Sequence, residues 1–171
     1  MKRVRGPQQQ LGFTLIELVV TLAVVGLLAL VSLPLYEVTS TRLKEVELRQ
    51  ALRTIRAGLD AYKAATDSGV VPKAAGESGY PPSLELLTQP IEIANRRSGG
   101  WSSEQPAQHI VILRQLPRDP FFPDPRAPAA QTWATRAYAS PPDDPQSGAD
   151  VFDVSSLSTR TALDGTAYST W

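Results

Sequence analysis

The 171-residue chain has no cysteine, a single histidine and a single methionine. Without cysteine there is no disulfide, no thiolate nucleophile and no thiolate-bound metal, while the redox compartment stays open. The lone His109 argues against a histidine-rich metal centre or a Ser-His-Asp arrangement and reads as a domain residue with no chemical task. A Gly-x-Ser-x-Gly nucleophile turn and a glycine-rich phosphate loop are also missing. The acid pair Asp143-Asp144 sits between prolines and reads as a solvated turn. An excess of charge is absent too. Seventeen basic groups balance seventeen acidic ones, so bulk charge points to no nucleic acid. Long regular helices are excluded from the second half, because thirteen of the fifteen prolines follow residue 70.

What is present is unevenly placed. Lys2, Arg3 and Arg5 are the only charged residues among the first twelve; without them fourteen basic groups face seventeen acidic ones, a formal charge of −3. Residues 13–36 then form an apolar run of twenty-four with one charge, Glu17. At ~1.5 Å per residue such a helix reaches roughly 36 Å, enough to cross a ~30 Å hydrocarbon layer. Basic residues ahead of it place the leader in the cytoplasm and the remainder outside. A cleavable secretory signal is the rival, but it needs a shorter apolar stretch followed by small residues. Here the small residue, Gly12, precedes the run.

Glu17 is the informative side chain. A carboxylate within a membrane helix costs roughly 2.5–3.5 kcal/mol at the centre and less near an end. It is either close enough to the interface to reach water or in need of a cationic partner. Cleavage after Gly12 would give Phe13 a new amino group one helical turn away. Between staggered neighbours in a fibre, Glu17 of one subunit could neutralise the Phe13 amine of the next.

The string Gly12-Phe13-Thr14-Leu15-Ile16-Glu17-Leu18 behind a basic leader resembles the class III prepilin signature of type IV pilins and type II secretion pseudopilins. The resemblance implies cleavage between Gly12 and Phe13 by a membrane prepilin peptidase, which then methylates the new amine, with Gly12 and Glu17 as recognition residues. It also fits Pro34, since family members often carry proline at this depth. Pro34 removes a backbone hydrogen bond and predicts a kink.

Helical character continues to about Thr66. Leu48, Leu52, Ile55, Leu59 and Tyr62 form one apolar stripe, read as a core face. Glu45 and Arg49 stand in favourable i, i+4 order, and Gly69 is a plausible C-cap. The membrane and amphipathic parts together predict one helix of roughly 50 residues, about 75–80 Å long. Further on, residues 80–87 read as a turn feeding a short helix with Ser83 as N-cap. Residues 95–108 read as a loop, 109–116 as strand or short helix, and 133–139 and 151–155 as strands. The expected fold class is α+β: a long N-terminal helix, transmembrane then amphipathic, packed against a small antiparallel sheet. The segments are a leader over 1–12, a membrane half over 13–36, an amphipathic half over 37–68 and a periplasmic remainder over 69–171.

The turn Leu116-Pro117-Arg118-Asp119-Pro120-Phe121, with Trp133, Tyr138, residues 150–156 and Trp171, resembles the major pseudopilin family of type II secretion. The missing cysteine pair leans the same way. The resemblance implies a bacterial inner-membrane, single-pass protein that polymerises with copies of itself. Its implied partners are the lipid bilayer, the prepilin peptidase, minor pseudopilins and an inner-membrane assembly platform. A type IV pilus subunit and a non-polymerising tethered binding protein remain the alternatives. In that family the last loop often binds calcium through closely spaced aspartates. Residues 157–165 hold one carboxylate here, Asp164, which with Asp153 supplies the candidate ligands. Calcium takes six to eight oxygens, so this loop departs from the pattern.

Overall fold

The computed structural model describes residues 12–94 and 108–171, with residues 31–34 described in backbone only. The chain divides into two compact units, Met1–Thr41 and Arg42–Trp171. One helix, α1 (Leu15–Asp67), contributes to both. It starts where the hydroxyl of Thr14 accepts the Glu17 N–H at 3.3 Å, a side-chain N-cap of the Thr-x-x-Glu kind. It stops as expected: Gly69 takes a φ of +69°, and the N–H of Val70 returns to the Ala65 carbonyl at 2.9 Å.

In the second unit the predicted stripe is the core. Leu48, Leu52, Ile55, Leu59 and Tyr62 are buried with Leu84, Leu87, Phe121, Trp133, Val154 and Tyr168. A glycine in mid-helix, Gly58, allows close approach: a side-chain carbon there would lie 3.0 Å from Leu113.

The expected single sheet is instead two separate hairpin-like pairs. β1 (Ile91–Glu92) pairs antiparallel with β2 (His109–Ile110), and β3 (Trp133–Arg136) with β4 (Asp153–Ser156). Prolines 117, 120, 123, 125 and 128 lie between β2 and β3 and cannot donate to a ladder. Of residues 109–116, only His109 and Ile110 pair as strand, because the Leu113 N–H turns to the Leu87 carbonyl at 2.8 Å. The strands read over 133–139 and 151–155 are shorter and shifted, at Trp133–Arg136 and Asp153–Ser156. The short helix after Tyr80 is a 3-10 turn, Leu84–Thr88, with Leu84 and Leu87 buried. Ser83 precedes it, but its hydroxyl makes no capping bond; burial of the two leucines holds the turn. The loop read over 95–108 lies outside the described residues except for Gln108.

The Pro-rich turn is built around Asp119, which is buried. Its carboxylate accepts the Phe121 N–H at 2.7 Å and the Ser156 hydroxyl, tying the turn to β4. The Trp133 indole N–H donates to the Pro117 carbonyl at 3.0 Å. A buried carboxylate with two donors is stable where an unpaired one would be costly.

Candidate functional site

Each unit carries its own group of candidate residues. In the first, Gly12, Phe13 and Thr14 precede the helix and have no regular structure. Phe13 is 84% exposed and Leu15 83%, and the most apolar eighteen-residue window of α1 is buried nowhere within the chain. Among the described residues this is one helix long and apolar enough to cross a membrane. So continuous an apolar surface needs lipid or neighbouring helices to cover it. Glu17 lies in the first turn. Among the described residues its carboxylate meets no cation; the ion pairs there are Arg49–Asp164, Arg56–Asp153, Lys63–Asp67 and Arg136–Asp153. Pro34 lies inside α1, whose backbone is helical there, while the kink read at Pro34 falls on residues described in backbone only.

In the second unit, three α1 side chains hold the segment from β4 to Trp171. Glu45 is only 7% exposed. Its Oε1 accepts the Leu163 N–H at 2.8 Å and the Tyr168 hydroxyl at 3.0 Å. Burial, then the bond to Glu45 and its charge, push the Tyr168 pKa up to about 12. Arg49 lies 4.2 Å above the Trp171 ring and 3.7 Å from Asp164. The i, i+4 pair read between Glu45 and Arg49 is therefore replaced by two separate contacts with the last loop. A carboxylate in the core and an arginine at its rim each gain more there than from one another on a wet helix face. Arg56 donates from Nε to Asp153 at 2.8 Å, and from Nη2 to the carbonyls of Val154 at 3.0 Å and Trp171 at 2.7 Å.

Among the described residues Asp153 and Asp164 share no partner. Asp153 faces Arg56 and, at 3.9 Å, Arg136. Asp164 Oδ1 accepts the Thr166 hydroxyl at 2.6 Å and its N–H at 2.9 Å. Those bonds, with Arg49 nearby, hold the Asp164 carboxyl below its usual range. Backbone carbonyls of this loop are also in use. Ala162 accepts from Gly165, Thr166 from Ala162 and Arg160 from Tyr168. Gly165 turns the chain at φ +87°. Among the described residues no group of three or more carboxylates and histidines is placed to hold a metal ion.

The importance of Glu45, Arg49 and Arg56 was not read from the sequence. A signal existed for Glu45: it stands three residues before Leu48, in register with the apolar stripe, where a carboxylate requires a buried partner. Arg49 and Arg56 each follow a stripe residue directly, but their partners lie about a hundred residues away, beyond any local pattern.

Residues 7–33 match the family model described as the prokaryotic N-terminal methylation motif. The match covers the end of the leader, Gly12, Phe13, Glu17 and most of the apolar run that follows. No curated protein and no solved structure matches the chain significantly. The motif marks a type IV pilin-like prepilin signal, and with the exposed apolar half of α1 it describes a chain anchored in the membrane through that helix.

Proposed function

We propose that this chain is a structural subunit of a type II secretion pseudopilus, polymerising through its N-terminal helix to support protein export across the outer membrane. The observation that carries this reading is Glu17: a carboxylate that meets no cation among the described residues, in the first turn of the exposed apolar part of α1. Cleavage after Gly12 by a prepilin peptidase supplies the Phe13 amine. A neighbour's Glu17 then neutralises that amine where lipid and apolar side chains lower the dielectric and strengthen the pairing. A non-polymerising tether would need the carboxylate only for recognition by the peptidase. The globular unit stands on the periplasmic side of the inner membrane, where minor pseudopilins and an assembly platform meet it. In this reading the chain is a substrate of the peptidase and not itself an enzyme.

Secretion over surface piliation is favoured by the Pro-rich turn at 116–121 and by the absence of cysteine. The test is deletion of the gene with complementation. The expected result is accumulation of normally exported proteins in the periplasm, with surface pili unchanged. Loss of surface pili with export intact would assign the chain to a type IV pilus instead. Neither phenotype, with the protein present in wild-type membranes, would favour a tethered binding protein.

A further inference from the structure

We infer that the last loop is closed by an arginine latch in place of a calcium ion: Arg49 and Arg56 of α1, with Glu45 beneath them, hold the segment from Asp153 to Trp171. The inference rests on the fold of the second unit and stands or falls independently of filament formation.

The chemistry of the donor set is opposed to a divalent cation. Calcium needs six to eight oxygens, several of them anionic and directed inward. Here one oxygen of each aspartate and several loop carbonyls already accept hydrogen bonds, while the Oδ2 atoms of Asp153 and Asp164 face arginines at 3.9 and 3.7 Å. Asp153 Oδ1 takes the Arg56 Nε–H and the N–H of Val154 in β4, and Asp164 Oδ1 takes both donors of Thr166. The carbonyls of Val154 and Trp171 take Arg56 Nη2, and those of Arg160, Ala162 and Thr166 close the loop upon itself. The charge is wrong as well. Arg49, Arg56 and Arg136 crowd the two aspartates, and Arg160 lies 5.5 Å from the Phe121 ring, which stacks on Tyr168.

The latch performs the task that an ion would. A guanidinium presents a fixed fork of donors, and Arg56 uses it to gather β4 and Trp171 onto one point of the helix. Arg49 then covers the Trp171 ring, a cation–π contact, and Glu45 satisfies the buried Tyr168 hydroxyl. Arg56, Asp153 and Trp171 also line a cleft of about 770 Å³, so solvent and protease reach the latch when it loosens.

The full-length protein in detergent is stripped with EGTA and titrated with calcium chloride while its melting temperature is followed. Calcium at a hundred times its Kd would raise that temperature by several degrees; the latch predicts a change below about one degree. The second arm is limited trypsin digestion at Arg160 in Arg49→Ala and Arg56→Ala. Severalfold faster cleavage than in wild type, not slowed by calcium, is the expected result. If Arg56→Ala does not fold, Arg49→Ala, whose side chain lies at the surface, carries the test. A calcium-dependent rise of several degrees in wild type would overturn the inference, and so would unchanged cleavage in Arg49→Ala.

Discussion

Glu45 and Tyr168 are 123 residues apart in sequence, yet the tyrosine hydroxyl donates to the glutamate at 3.0 Å inside the core. The contact fastens the last turn, Tyr168–Thr170, to the middle of α1, and the Phe121 ring stacks on the same tyrosine at 4.1 Å. One carboxylate thus serves two donors, the Tyr168 hydroxyl and the Leu163 N–H.

Removing that acceptor leaves the Tyr168 hydroxyl buried and unsatisfied, and takes the partner from the part-buried Leu163 N–H. Each such group costs about 1–3 kcal/mol. Glu45→Ala should therefore lower stability by several kcal/mol in urea unfolding. Glu45→Gln keeps a carbonyl oxygen at the same reach and should cost clearly less. Equal losses for the two variants would show that cavity and shape, not the hydrogen bonds, dominate at this position.

Tyr168 makes the second unit sensitive to alkali. Its folded pKa is raised from 10.0 to about 12, so the folded state holds the proton more tightly than the unfolded chain. The associated stability is fully present below pH 10 and is lost as pH rises from 10 towards 12. At ~1.4 kcal/mol for each pH unit of difference the loss is about 2–3 kcal/mol. Burial raises the pKa of Tyr62 and Tyr80 in the same direction, so part of the slope will persist in Tyr168→Phe. Urea unfolding at pH 9, 10 and 11 should show a shallower decline for that variant; an identical decline would remove Tyr168 from the account.

Processing is checked on the protein extracted from membranes. Gly12 before Phe13 and Glu17, inside the matched segment at residues 7–33, leads us to expect a mature chain starting at a methylated Phe13. Intact mass and N-terminal sequencing read this directly. A chain still starting near Met1, in cells with an active prepilin peptidase, would contradict it.

Local periodicity made most of the helical part legible. The apolar run over 13–36, the stripe from Leu48 to Tyr62 and the stop at Gly69 each leave a short-range signature, and each reappears in α1 and its cap. The division into two small sheets was not legible. It depends on where prolines withhold donors, and on Leu113 turning to the Leu87 carbonyl against Gly58. Those are tertiary outcomes. The Asp119 turn was noticed as a motif, but its bond to the Ser156 hydroxyl joins segments that no spacing rule connects. Arg56 leaves no local signature for the same reason: its partners, Asp153, Val154 and Trp171, are 97 to 115 residues away.

The central claim is that Glu17 drives assembly rather than insertion. The helix is apolar enough to insert without it, and removal of a charge makes insertion easier. The decisive measurement is electron microscopy of sheared filaments from cells overexpressing wild type or Glu17→Val, with membrane fractionation and a cleavage assay on the same cells. The account predicts filaments for wild type and none for Glu17→Val, whose protein level, cleavage after Gly12 and membrane residence stay near normal. Normal filaments from Glu17→Val would contradict it.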